Sequence, residues 1–233
     1  MDEKKLIEID GVKFYVPNPN DFIYADMIRN NKLWDIDRIK YMMRFIAFDS
    51  IAIDAGSHVG CHTIQFARKA KTVIAVEPIK QNFDLWQANI ELNGLTNCRV
   101  VKKALSNKTG DKLIIDPERE RLQTNSGATF LISSKQGEIE TVTLDSLLYE
   151  QERVSLIKYD VEEMELEALQ GSKEILKKHK PALYVEILKE SHRCSRKKNG
   201  NQIIRFLNSF GYIKTKAIGV WVNKDNQKQI GLI

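Results

Sequence analysis

Cysteine is scarce. The chain of 233 residues has three, Cys61, Cys98 and Cys194. The count is odd and no Cys-x-x-Cys occurs, which excludes a disulfide framework and a zinc finger. A reducing, cytoplasmic setting is expected. Long apolar runs are missing too, and none approaches the ~18 residues that a membrane span needs. The opening Met1-Asp2-Glu3-Lys4-Lys5 has no apolar core of a signal peptide, so neither export nor membrane insertion is expected. A large excess of one charge is absent: 36 basic residues against 31 acidic leave a net +5. The basic groups are short, as in Lys102-Lys103 and Arg196-Lys197-Lys198, and a dedicated nucleic-acid binder shows a denser basic face. Only five prolines interrupt the chain, and 42% of it is hydrophobic, enough for one sizeable core.

What is present is an alternation. Asp10-Gly11 between apolar residues predicts a hairpin over 6–16, and 21–47 reads as helical. From Ser50 the pattern becomes strand, helix, strand, helix. Short buried strands are expected at 51–53, 73–76 and 99–101, with helices at 60–68 and 79–93. In the second helix Ile79, Phe83, Trp86 and Ile90 form an apolar stripe. Residues 110–143 carry short alternating stretches and turn residues, which predict an antiparallel insertion. The alternation resumes with a strand at 156–159, helical chain at 162–176 broken near Gly171, a strand at 182–187 and a helix at 201–210. Strands at 212–216 and 220–222 follow. This order predicts an α/β domain with a mostly parallel sheet covered on both faces, binding its ligand at the carboxyl ends of the strands.

One stretch combines the features of a cofactor loop: Ile53-Asp54-Ala55-Gly56-Ser57-His58-Val59-Gly60. Gly56 permits a tight turn after the strand, and Gly60 permits close helix packing. Glu77 follows Gly56 by 21 residues, before Pro78, at the end of the next strand. An acid at that spacing accepts the hydroxyl protons of an adenosine ribose, although a helix-capping acid explains it as well. A pyrophosphate site would need a middle glycine, and Ser57 and His58 occupy that space. S-adenosylmethionine carries no phosphate, and its amino-acid end needs polar partners of the kind that Asp54, Ser57 and His58 provide.

These residues, with Val76-Glu77-Pro78, resemble the FkbM family of methyltransferases. Leu156-Ile157-Lys158-Tyr159-Asp160-Val161-Glu162-Glu163-Met164-Glu165 and Leu169-Gln170-Gly171 resemble it too, as do Asn93-Gly94-Leu95, Ala104-Leu105-Ser106, Val142-Thr143-Leu144-Asp145 and Val185-Glu186-Ile187. The resemblance runs over roughly 50–190. It implies a Rossmann-like class I methyltransferase fold with a seven-stranded sheet, S-adenosylmethionine as cofactor, and methylation of a hydroxyl oxygen on a natural product or glycan. The residues themselves divide the chain into a hairpin and helical cap over 1–49 and a methyltransferase domain over 50–233. Carried over residue by residue, Asp54, Gly56, Ser57 and Gly60 fall on the cofactor loop and Glu77 on the ribose acid. Lys103, Ala104 and Leu105 fall on the adenine side, and Asp160, Glu162 and Glu165 on the acidic motif. Two positions depart from the family: His58 stands where asparagine is usual, and Glu163 where glycine is usual.

Methyl transfer to a hydroxyl needs a base, and Asp160 at the strand end is the candidate. Glu186 ends the neighbouring strand and His192 follows it, as a second base, a ligand or a plain surface residue. Asp160 and Glu186 on one cleft could bind Mg²⁺ or a similar hard ion. Acids at 162–165 are equally explained by a helix dipole. Asn125-Ser126-Gly127 is either a substrate loop or a turn, and Cys61 and His62 read as packing residues. Two other functions share the cofactor features: an RNA ribose methyltransferase, which would use Lys158 and a basic surface, and a non-catalytic domain that keeps the cofactor fold.

Overall fold

In a computed structural model the described residues are 5–120, 127–148, 153–187 and 200–233. His192, Cys194, Asn125 and Ser126 lie outside them.

The chain opens with strands β1 (Lys5–Ile9) and β2 (Val12–Val16), paired antiparallel. Asp10 and Gly11 turn the corner at φ 50° and 72°, the double left-handed geometry that Asp-Gly favours. The helical stretch that follows is two helices, α1 (Phe22–Asn30) and α2 (Ile36–Met43). Asn31, left-handed at φ 45°, ends the first.

Next come β3 (Ile51–Ala55), α3 (Cys61–Ala67), β4 (Thr72–Val76), α4 (Lys80–Leu92) and β5 (Cys98–Val101). After β6 (Ala104–Leu105) the insertion contributes β7 (Lys112–Ile115), α5 (Pro117–Glu120), β8 (Leu131–Ser133) and β9 (Ile139–Val142). The last part holds β10 (Val154–Tyr159), α6 (Glu165–Gln170), α7 (Lys173–His179), β11 (Ala182–Val185), α8 (Gly200–Ser209), β12 (Tyr212–Lys214), β13 (Val220–Asn223) and α9 (Gln227–Ile230).

Seven strands form the central sheet in the order β12-β13-β11-β10-β3-β4-β5. The pairings β11–β10–β3–β4–β5 are parallel, and β13 runs antiparallel to both its neighbours. This is the fold expected of a class I methyltransferase. The strand order reverses at β3 and β10, so the loops after these two strands diverge and leave a crevice at their carboxyl ends.

Alternation along the strands divides the core. Ala52, Val73, Ala75 and Leu156 face one side, where α3 and α4 pack. Ile53, Ile74, Val76 and Ile157 face the other, with Ala168, Leu176 and Leu207 from the later helices. The N-terminal segment belongs to the first core: Val12, Phe14, Val16, Tyr24, Met27, Ile39 and Met42 are fully or almost fully buried there. At roughly 1.5–3 kcal/mol per large apolar side chain, that is a firm attachment. Polar bonds fix its register. The buried Asn89 of α4 accepts from Tyr15 N at 2.6 Å and donates to Tyr15 O at 3.0 Å, satisfying the open edge of β2.

The insertion and β6 together form a sheet ordered β6-β9-β7-β8. Its β7 pairs antiparallel with β8 and β9, as the alternation predicts, while β6 joins β9 in parallel. At the break between α6 and α7, Gly171 is required by space. A Cβ there would sit 2.1 Å from the carbonyl oxygen of Ser106.

Candidate functional site

Two clefts open at the carboxyl edge of β3, β4 and β10. The first, about 510 Å³, is lined by Val76, Glu77, Pro78, Ile79 and Asn82 on one side. Ala104, Leu105, Val161 and Met164 line the other, with Gly127, Thr129 and Leu131 of the insertion. The second, about 1050 Å³, is lined by Ile23, Trp34, Asp35 and Arg38 of the N-terminal segment, Ser57, Cys61 and His62 beside α3, and Lys158 and Glu186. Gly56, His58, Gly127, Asp160 and Glu162 border both.

The loop after β3 depends on Gly56, at φ 73°. A Cβ there would lie 1.7 Å from the carbonyl oxygen of Asp160, so the two strand-end loops touch only because this residue has none. Gly60, at φ 95°, lies against Trp86 and sets the packing of α3 on α4 rather than lining a cleft. Ser57 is buried and its Oγ has no hydrogen-bond partner, which leaves a donor facing the second cleft. His58 is left-handed at φ 50°, stacked on Tyr24 at 5.9 Å, with Tyr24 Oη 3.2 Å from its Nε2. Burial pushes its pKa down to about 4, so the ring is neutral. His62, which the sequence suggests as packing, lines the second cleft, and burial pushes it down to about 4 as well.

Glu77 accepts from the backbone N–H of His58 at 2.9 Å and of Ile79 at 3.0 Å. Asn82 donates to it at 3.3 Å. Burial raises its pKa to about 7 against these bonds. Each carboxylate oxygen accepts more than one bond, so Glu77 retains acceptor capacity toward the first cleft.

The strand register builds an ion triad. Lys158 of β10 sits opposite Asp54 of β3, so their side chains share a face. Lys158 Nζ lies 3.2 Å from Asp54 Oδ1 and 3.3 Å from Asp160 Oδ2, and donates to Gly56 O at 2.9 Å. Asp54 is fully buried and also accepts from Thr63 Oγ1 at 2.6 Å. The sequence suggests that Asp54 faces a ligand. It lines neither cleft, and its carboxylate holds Lys158 and Thr63 because its place on β3 points it beneath the loop.

Asp160, Glu162 and Glu186 each offer a carboxylate oxygen within 4.8 Å of the others. Burial opposes the ionisation of Asp160. Lys158, with a hydrogen bond from Glu186, outweighs it and holds the carboxyl below its usual range. Burial and the neighbouring carboxylates push Glu162 and Glu186 up to about 9. At neutral pH the cluster is thus one carboxylate beside two protonated acids.

Glu162 and Glu163 are not in a helix, as a dipole explanation requires. They are left-handed at φ 49° and 74°, ahead of α6. Glu165 turns back to accept from Val161 N and Glu163 N at 3.2 and 3.3 Å and braces this loop instead of entering a cleft. Glu163 pairs with Arg119 of α5 at 3.1 Å, and Arg119 also stacks on Phe130 at 4.3 Å. Sequence reasoning misses Trp34, Asp35 and Arg38, since nothing in residues 21–47 distinguishes a cleft residue from a helix surface.

Residues 54–214 match the profile of the Methyltransferase FkbM domain. A curated relative, the 23S rRNA (uracil(1939)-C(5))-methyltransferase RlmD of Psychromonas ingrahamii, is 27% identical over 146 residues, 55% of this chain and 30% of the relative. Among solved structures, the methyltransferase FkbM of Methylobacillus flagellatus KT is similar at 18% identity and a TM-score of 0.47. That match covers 81% of this chain and 54% of the other. A putative rRNA-methylase of Clostridium thermocellum is similar at 10% identity and a TM-score of 0.52, covering 80% and 90%. The chain spans about a third of the curated relative and about half of the similar FkbM structure. Among the described residues no helix is long and apolar enough to cross a membrane.

Proposed function

Because this chain belongs to the FkbM methyltransferase family, we propose that it transfers the methyl group of S-adenosylmethionine to a hydroxyl oxygen of a sugar or small metabolite. The observation that carries this reading is the position of Asp160, an ionised carboxylate on the border of two clefts.

The first cleft fits the cofactor. Glu77 offers acceptors for ribose hydroxyls, and Ala104, Leu105, Ile79 and Leu131 an apolar slot for adenine; the amino-acid end would reach past Gly56 and His58, which border both clefts, to the partnerless Ser57 Oγ of the second cleft. Bound there, S-adenosylmethionine supplies an electrophilic methyl carbon. Asp160 orients the acceptor hydroxyl and takes its proton, a role typically worth ~10²–10⁴-fold in rate. Lys158 keeps Asp160 ionised, and the protonated Glu162 and Glu186 donate hydrogen bonds to it or to the acceptor. Alignment of the hydroxyl with the methyl carbon adds several kcal/mol. His192 remains a candidate base by sequence alone.

A second reading concerns the three carboxylates within 4.8 Å of one another. Their oxygens suit a hard ion such as Mg²⁺, which would displace the protons of Glu162 and Glu186 and lower the hydroxyl pKa. The rRNA-methylating relative favours a third, an RNA acceptor. It requires activity that falls steeply with salt.

The test is calorimetric titration with S-adenosylhomocysteine. Micromolar binding that Glu77→Ala abolishes without unfolding the protein is expected. No binding by the wild type would overturn the methyltransferase reading.

A further inference from the structure

We propose that α2 supplies the acceptor-selecting wall of the second cleft, with Asp35 and Arg38 binding the hydroxyls of an uncharged polyol such as a glycoside. The inference rests on the methyltransferase reading and adds where the acceptor is held and what charge it carries.

Asp35 occupies the N-cap position of α2, where an aspartate normally accepts from the first helical N–H groups, a bond worth about 1 kcal/mol. It makes no such bond. Its backbone is left-handed at φ 58°, and its carboxylate is turned to Arg38 and the cleft. Burial raises its pKa, and Arg38 opposes the shift. Forgoing the cap in a left-handed conformation costs local stability, a strain of the kind that clusters at ligand sites. Arg38 donates to Asp35 and, at 2.9 Å, to Tyr184 Oη, while its guanidinium lies 5.2 Å from the Tyr184 ring. The wall is therefore anchored on β11, next to the strand that carries Lys158 and leads into Asp160. Trp34 stands beside them, edge-on to Phe22, and offers an apolar ring surface for the C–H face of a sugar.

Charge decides the class of acceptor. The described lining carries two cations, Arg38 and Lys158, beside Asp35, Asp160 and the protonated Glu162 and Glu186. Both cations are committed to carboxylates. The two histidines are neutral. A phosphate would meet carboxylates and no uncommitted cation among these residues, whereas hydroxyls donate to Asp35 and accept from Arg38.

The test is saturation-transfer NMR on the full chain loaded with S-adenosylhomocysteine, with methyl α-D-mannopyranoside, methyl α-D-galactopyranoside and methyl α-L-rhamnopyranoside as neutral probes. Glucose 6-phosphate and a short RNA oligonucleotide serve as anionic probes. Transfer to at least one neutral glycoside and none to the anions is expected. Asp35→Asn, which frees Arg38, should shift the neutral-to-phosphate preference by about tenfold toward glucose 6-phosphate, the scale of losing one charge-assisted contact. A merely structural role for Asp35 would not shift that preference toward the phosphate. Arg38→Met should lose the glycoside signal and gain none for the phosphate. Equal or stronger transfer to an anionic probe, no transfer to any neutral glycoside, or an unchanged preference in Asp35→Asn overturns the proposal. S-adenosylhomocysteine binding measured on the same samples separates this failure from failure of the methyltransferase reading.

Discussion

Replacing Glu163 by glycine sets two opposing effects against each other. Glu163 is left-handed at φ 74°, where a residue with a Cβ is worse off by roughly 1–2 kcal/mol. Glycine escapes that strain but returns roughly 0.5–1 kcal/mol through unfolded-chain entropy. Against the relief stands the pair with Arg119, 3.1 Å long, with the glutamate side chain only 8% exposed. Breaking a fully buried pair costs about 3–5 kcal/mol, and an exposed one contributes under about 1 kcal/mol. Here Arg119 keeps Asp116 at 3.7 Å and the Phe130 ring at 4.3 Å, and one Glu163 oxygen is already buried without a hydrogen bond. The loss is therefore near the lower end, about 1–2 kcal/mol. Glu163→Gly should leave Tm within about 3 °C of wild type, and Glu163→Ala, which keeps the strain and loses the pair, should lower it by about 4 °C. Both should weaken S-adenosylhomocysteine binding about tenfold, or 1.4 kcal/mol, because Arg119 ties down the insertion whose Gly127, Thr129 and Leu131 wall the first cleft. Adding Arg119→Ala to Glu163→Gly should weaken binding no further. Calorimetric titration and thermal unfolding read all of this. An equal loss of Tm in both single variants refutes the strain argument, and unchanged affinity refutes the tie between the insertion and the cleft.

Asp160→Asn should lower turnover by about 10²–10⁴-fold with S-adenosylhomocysteine affinity changed far less; parallel losses in both would remove its role as base. Glu162 and Glu186 carry pKa values near 9 in the fold against 4.5 ordinarily. The folded state therefore binds more protons between those values, and stability falls as pH rises through that window. Glu186→Gln should flatten the fall of Tm between about pH 5.5 and 9, and an unchanged slope contradicts the assignment. If a hard ion seats on the cluster, Mg²⁺ should raise the wild-type Tm and not that of Glu186→Gln, and EDTA should abolish turnover. Full activity in EDTA disposes of the metal.

Much of the fold was legible because each strand announces itself locally. The alternation of apolar and turn residues from Ser50 onward reflects burial on both faces of a parallel sheet. Asp10-Gly11 and Gly171 mark a turn and a break that no other residue type suits as well. The first cleft was legible for the same reason, since Gly56 and Glu77 are fixed by local backbone geometry and strand ends. The sequence leaves open which way Asp54 points, because a strand-end acid has two faces available, and the pairing register with Lys158 shows which one it uses. The same register makes Lys158 an internal counter-ion of two aspartates. The second cleft was not legible in its outer wall. Asp35 and Arg38 reach it through the packing of α2 on the sheet, a contact between residues 146 apart in the chain in the case of Arg38 and Tyr184, which no local pattern encodes.

The two departures from the family pattern have one physical explanation. By the family resemblance His58 stands where asparagine is usual and Glu163 where glycine is usual, and both positions are left-handed, at φ 50° and 74°. Asparagine and glycine are the residues that adopt this conformation with least strain. Each substitution therefore costs backbone energy, and each side chain makes a contact that the usual residue cannot. His58 stacks on Tyr24 of α1, and Glu163 holds Arg119 of α5. One contact fastens the N-terminal segment to the carboxyl edge of the sheet, and the other fastens the insertion to it. These are the two parts of the chain that wall the clefts on either side of Asp160. The strain is thus placed where it joins the N-terminal segment and the insertion to the central sheet, and exchanging His58 for asparagine or Glu163 for glycine should loosen one wall while leaving that sheet intact.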